Sequence, residues 1–139
     1  MINKLQSYLV QNHMDLLIAL EEDHRLTDYL RQKVESVMEL CQELQAASRP
    51  PYVVGALCME ELTRDLRPSR FEYVRALLED EFEDVHRRMR NSGILTYEII
   101  NLIGACEPIF EIYRFGEENE DARELKCAVM GMIAEYLGR

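Results

Sequence analysis

The stretch from Leu66 to Asn91, LRPSRFEYVRALLEDEFEDVHRRMRN, carries the firmest local instructions in this chain. Ser69 followed three residues later by Glu72 is a capping box. The serine oxygen takes a backbone N–H of the first turn while the glutamate can reach back to the serine N–H. A helix therefore begins at this point. Beyond the cap, Phe71, Val74, Leu78, Phe82, Val85 and Met89 recur at steps of three and four, which sets all six along one stripe of a 3.6-residue helix. His86, Arg87, Arg88 and Arg90 stand late in the segment, where the helix dipole favours cations. Asn91 and Gly93 supply the residues that commonly end a helix.

The same grammar runs through the rest of the chain. Ile2, Leu5, Leu9, Leu16 and Leu20 share one helical face with His13 in its middle, and Asn12-His13 is a candidate break. Thr27 is placed to cap a second long helix bearing Leu30, Val34, Val37, Cys41 and Leu44. Ser48-Arg49-Pro50-Pro51 stops it, with Pro51 suited to the first position of a third helix that reaches about Leu66. After Gly93 an apolar series from Leu95 to Tyr113 passes through Pro108, which predicts a kink near Gly104. Asn119 is placed to cap a last helix carrying Leu125, Val129, Met132 and Tyr136, with Gly131 inside it as a point of close backbone packing. No alternating strand pattern occurs. The expectation is an all-α fold: a compact bundle of five or six amphipathic helices with short connections, forming a single helical domain over residues 1–139.

Composition narrows function mainly by exclusion. Hydrophobic residues at 47% and charged residues at 30% argue for a folded chain rather than a disordered one. Sixteen Lys and Arg against 26 Asp and Glu leave a net charge of −10, a field that repels phosphate backbones, so direct nucleic-acid binding is not expected. A cationic partner surface fits better. Cys41, Cys58, Cys106 and Cys127 lie far apart among apolar residues, and they read as small buried hydrophobes of a reducing cytoplasm rather than ligands or bridges. The longest early apolar run, residues 14–20, contains Asp15, which points away from a signal peptide or membrane span. A cytoplasmic location is the resulting expectation.

Several short motifs together resemble the domain-of-unknown-function family eighteen ninety-six. They are Tyr29-Leu30-Arg31, then Leu66-Arg67-Pro68-Ser69-Arg70-Phe71-Glu72 and Asp80-Glu81-Phe82. Cys106-Glu107-Pro108-Ile109-Phe110-Glu111-Ile112-Tyr113 and Gly131-Met132-Ile133-Ala134-Glu135-Tyr136-Leu137 complete the set. The likeness spans roughly residues 8–137. Met14 stands after His13 where the family pattern has a proline. The resemblance implies an all-α fold and a place on conjugative transposons of gut and oral anaerobic bacteria, and it brings no catalytic residues with it.

The constellations open to a chemical reading are few. Glu-x-x-His occurs at Glu83 to His86 and at Glu21 to His24, and two such motifs with two further glutamates can hold a di-iron centre in a four-helix bundle. On a continuous helix, however, His86 falls about 60° to 70° from the apolar stripe and Glu83 about 120° or more. A solvated charged flank is the simpler account. His13 lacks any nucleophile in a recognisable arrangement and reads as a packing residue. The acidic runs 79–84 and 117–124 read as helix surface, with an anionic docking face as the sharper alternative. No phosphate loop, nucleophile elbow or zinc spacing occurs. No catalytic, cofactor-binding or metal residues are therefore assigned, and no cofactor is expected. The expected role is a non-enzymatic protein-interaction or regulatory module with a protein partner, compatible with homodimerisation. The rivals are an acidic DNA-mimic decoy and a small enzyme or metal-binding helical protein using Glu83, His86 and His13.

Overall fold

The computed structural model describes residues 1–138, and their regular structure is entirely helical, with nine α-helices and one 3-10 turn. The described chain divides into two compact units, Met1–Arg67 and Pro68 onward. The helix count exceeds five or six because three of the long helices read from the sequence are each broken in two.

The first unit contains α1 (Ile2–Asn12), α2 (Met14–Glu22), α3 (Leu26–Ser36), α4 (Met38–Ala46), α5 (Pro51–Leu62) and a 3-10 turn, Arg64–Leu66. Leu5, Leu9, Leu17, Leu30, Val54, Cys58 and Leu62 meet in its core. The break between α1 and α2 falls on His13, whose φ of −141° and ψ of 51° leave the helical region. Pro51 opens α5 as expected, while α5 stops at Leu62 and only the 3-10 turn extends to Leu66. The second long helix of the sequence reading is divided at Val37 into α3 and α4. Thr27 lies inside α3 rather than at its cap, which is Arg25.

The second unit contains α6 (Arg70–Glu81), α7 (Glu83–Ser92), α8 (Leu95–Ile112) and α9 (Arg123–Leu137). α8 packs against all three of the others. Phe71, Val74, Leu78, Leu102, Phe110 and Val129 are among its buried side chains. Ser69 caps α6 as its spacing predicts, its hydroxyl oxygen accepting the Glu72 N–H at 3.0 Å.

The expected continuous helix through Phe82 and Met89 is instead bent apart at Phe82, with φ −132° and ψ 48°. In one helix Glu79 and Asp80 would lie one turn from Glu83 and Asp84, a spacing at which like charges repel weakly. The break moves Glu83 and Asp84 into a new first turn, where the dipole favours acids. The breaks at His13 and Val37 likewise place Asp15 and Glu39 in first turns. Phe82 itself is only half-buried.

Helix ends explain the remaining differences. α2, α4, α7 and α8 each close with a residue of positive φ: His24, Ser48, Gly93 and Arg114. In each case the following N–H bonds the carbonyl five residues back, from Arg25 to Leu20, Arg49 to Leu44, Ile94 to Met89 and Phe115 to Phe110. This is the Schellman closure. α8 runs on through Pro108. Asn119 does not cap α9, which begins at Arg123. Its side chain folds the preceding loop, with Oδ1 accepting the Gly116 N–H at 2.8 Å and Nδ2 donating to the Tyr113 carbonyl. Gly131 is no close-packing point, since a Cβ there would meet nothing within 4 Å. Leu125, Val129 and Ile133 form the buried stripe of α9, with Met132 and Tyr136 half-buried.

Candidate functional site

Three places gather the chemistry-bearing residues. In the first unit, the joint between α1 and α2 buries His13 to 8% exposure beside Tyr8, with ring centroids 5.6 Å apart. Burial holds the His13 imidazole below its ordinary pKa, opposed by Asp15, the Leu66 backbone and Asp65. Burial pushes the phenol of Tyr8 up, against Arg67 and Thr63, and that of Tyr29 up with help from Asp65. Asp65 also accepts from Lys33 at 2.7 Å. Thr63 donates to the Met59 carbonyl at 2.9 Å, and Arg67 closes onto the Glu60 carbonyl at 3.1 Å. These pairings tie the 3-10 turn to α3 and α5. Burial thus disfavours the charged form of His13 beside these carboxylates and phenols, and its Nε2 lies buried with no hydrogen-bond partner among the described residues.

In the second unit, the elbow between α6 and α7 forms an open cleft of about 410 Å³ lined by Glu79, Asp80, Glu83, His86, Arg87 and Arg90. His86 is 7% exposed, which corrects its placement on a solvated flank: the break at Phe82 re-aims α7 and carries His86 inward. Glu83 remains exposed. Arg75 bonds Glu72 at 2.8 Å and Glu79 at 2.6 Å, and this pairing holds the Glu79 carboxyl below its usual range. Arg87 pairs with Asp84 at 2.8 Å. The Glu21 to His24 motif lies at the end of α2, both residues exposed and His24 in the left-handed turn. Among the described residues no group of three or more His, Cys, Asp or Glu could hold a metal ion. Neither Glu-x-x-His motif is completed into a ligand set.

The third place is the outer face of α8, and sequence reasoning passed over it. Tyr97, Asn101, Gly104, Pro108 and Ile112 fall within an arc of about 80° at 100° per residue, over a length of about 22 Å. All five are exposed, Tyr97 at 62% and Ile112 at 76%. In a chain with 30% charged residues this strip carries none. Its signal was present in the spacing, but the apolar residues of the opposite face dominate the pattern. Glu107 and Glu111 edge the strip on one side and Glu98 on the other, and α8 has no Lys or Arg. Ile94 begins the strip and also lines a shallow groove of about 280 Å³ with Val85, Met89 and Leu137, and with Arg88 and Ser92 at its rim. An uncharged strip edged by carboxylates can hold an apolar helix face whose own edges are cationic.

No family model, curated protein or solved structure matches the chain. Among the described residues, no helix is long and apolar enough to cross a membrane.

Proposed function

We propose that this protein is a non-enzymatic interaction or regulatory module that docks a basic, amphipathic segment of a protein partner along α8. The observation that carries this reading is the exposed, uncharged strip from Tyr97 to Ile112 with its carboxylate edges. Large aromatic and aliphatic anchors within a polar rim are what protein interfaces use, and a net charge of −10 steers a cationic partner toward the chain. The resemblance to a family of mobile-element proteins adds a mobile-element setting to this reading, and the dispersed cysteines fit a reducing cytoplasm.

The rival decoy reading has less support. Acids of α6 and α7 are interleaved with cations, Glu79 with Arg75, Asp84 with Arg87 and Glu81 with Lys126 at 3.1 Å, whereas a phosphate mimic needs an uninterrupted anionic row. An enzyme at the α6–α7 elbow would need a nucleophile or ligand set beyond Glu83 and His86.

The test compares affinity capture of the full tagged chain from its native host with capture of a Tyr97→Glu, Ile112→Glu double variant. A specific partner that is lost with the double variant, while helicity by circular dichroism is unchanged, supports docking on α8. A partner held equally by both chains removes this face from the reading.

A further inference from the structure

The cleft at the elbow of α6 and α7 holds groups that its own ion pairs leave uncommitted. Glu79 is taken by Arg75 at 2.6 Å, and Arg87 by Asp84 at 2.8 Å. Asp80, at the end of α6, and Glu83, at the start of α7, are exposed and line the cleft from its two helices. Among the described residues neither carboxylate has an ion pair or a hydrogen bond. His86 lines the same cleft although it is only 7% exposed, and among the described residues no hydrogen bond holds its ring. That imidazole is an observation separate from the acids, because a buried polar side chain normally has a partner. α6 also ends on Glu79, Asp80 and Glu81 with no basic residue in its last turn, so the negative end of its dipole adds to the field of those acids. We propose that the α6–α7 elbow is a binding site for a guanidinium group, held by the carboxylates of Asp80 and Glu83 and stacked on the ring of His86.

The groups in the cleft select this cation over an ammonium. A guanidinium presents its N–H donors in one plane, a fork that carboxylates accept in pairs, and its flat face stacks on aromatic rings. It is also more weakly hydrated than an ammonium, so it loses less water binding on entering the cleft. A lysine ammonium can use the two carboxylates but has no flat face to lay on the imidazole. Arg90 also lines the cleft and opposes a cation, but the two uncommitted carboxylates outweigh it. Its guanidinium instead offers a place for an anionic group carried by the same ligand. Free arginine has such a group in its α-carboxylate, whereas an arginine side chain within a protein does not. No residue of the α8 strip takes part, so the proposal stands or falls independently of docking there.

The full chain, isotope-labelled, is titrated with N-acetylarginine amide, with free arginine and with N-acetyllysine amide, and its backbone amide resonances are followed. The expected result is a saturable shift centred on residues 80–87, with the blocked arginine bound more tightly than the blocked lysine. Asp80→Asn combined with Glu83→Gln should weaken that binding about tenfold or more, the effect of losing a charge-assisted hydrogen bond. Both positions are exposed, so the amide spectrum away from the elbow should match that of the parent chain. Blocked arginine binding as tightly as free arginine supports the site and assigns it to an arginine side chain of a protein. Tighter binding of free arginine, with the margin removed by Arg90→Gln, supports it and assigns it to the free amino acid. Equal binding of the lysine and arginine probes, shifts that do not saturate, or full affinity in the double variant overturns the proposal.

Discussion

Tyr136 donates its hydroxyl to the Glu98 carboxylate at 3.0 Å, joining the last turn of α9 to the first turn of α8. The two residues lie 38 positions apart, so this bond forms only when the second unit is assembled. A half-buried hydrogen bond of this kind contributes about 1 kcal/mol. Tyr136→Phe should lower stability by about that amount in urea unfolding with no change in the slope. A midpoint equal to that of the parent chain would mean that water replaces the bond at no cost.

Ser69→Ala removes the oxygen that accepts the Glu72 N–H. The loss should be about 1 kcal/mol. Ser69→Gly should cost only a few tenths, because glycine leaves the N–H open to water. Equal losses for the two variants would place the effect in backbone freedom rather than in the cap.

The second unit shows where local sequence suffices and where it does not. The Ser69 cap, the Gly93 stop and the Pro51 start were legible because each is decided by a residue and its neighbours within one turn. The break at Phe82 was not, since the apolar stripe continues through it. His86 was misplaced as a consequence, because an angle measured along an unbroken helix no longer applies beyond a bend. The stop at Ser48 was legible from the prolines that follow it, but the left-handed backbone of His24, Ser48 and Arg114 was not, because the sequence signal for a left-handed closure is glycine or asparagine. The α8 strip escaped notice for a different reason: exposed apolar residues become informative only once the opposite face is known to be the buried one.

Arg114 holds φ at 51° at the end of α8. The left-handed region costs a side-chain-bearing residue about 1 to 2 kcal/mol, which glycine escapes, though glycine gives back part of that through the freedom of the unfolded chain. Arg114→Gly should therefore raise stability, by about 1 kcal/mol or less. Arg114→Val should lower it, because a β-branched residue tolerates this backbone least. Thermal midpoints moving in the same direction for both variants would show that the Schellman closure is not retained.

Gly131 sits in the middle of α9, exposed, with open space where a Cβ would go. Alanine there keeps the helical backbone and restricts the unfolded chain, so Gly131→Ala should stabilise by about 0.5 to 1 kcal/mol. Loss of stability in denaturant unfolding would indicate that α9 packs more closely at this point than its exposure indicates.

His13 links stability to pH. Burial holds its imidazole below the ordinary value of 6.5, with Asp15 and Asp65 opposing that shift. Above 6.5 the ring is neutral in both folded and unfolded chains, and its contribution is constant. As the pH falls below 6.5 the unfolded chain takes the proton first, so the unfolded state binds more protons and stability declines until the folded-state pKa is passed. Replacing the ring by an amide that does not titrate removes this dependence. The difference in unfolding free energy between the parent chain and His13→Gln should therefore shift against the parent between pH 7.5 and 5, while the carboxylates common to both cancel. A difference that stays level across this range would mean that His13 titrates alike in both states, and the α1–α2 joint would then be open to water rather than packed.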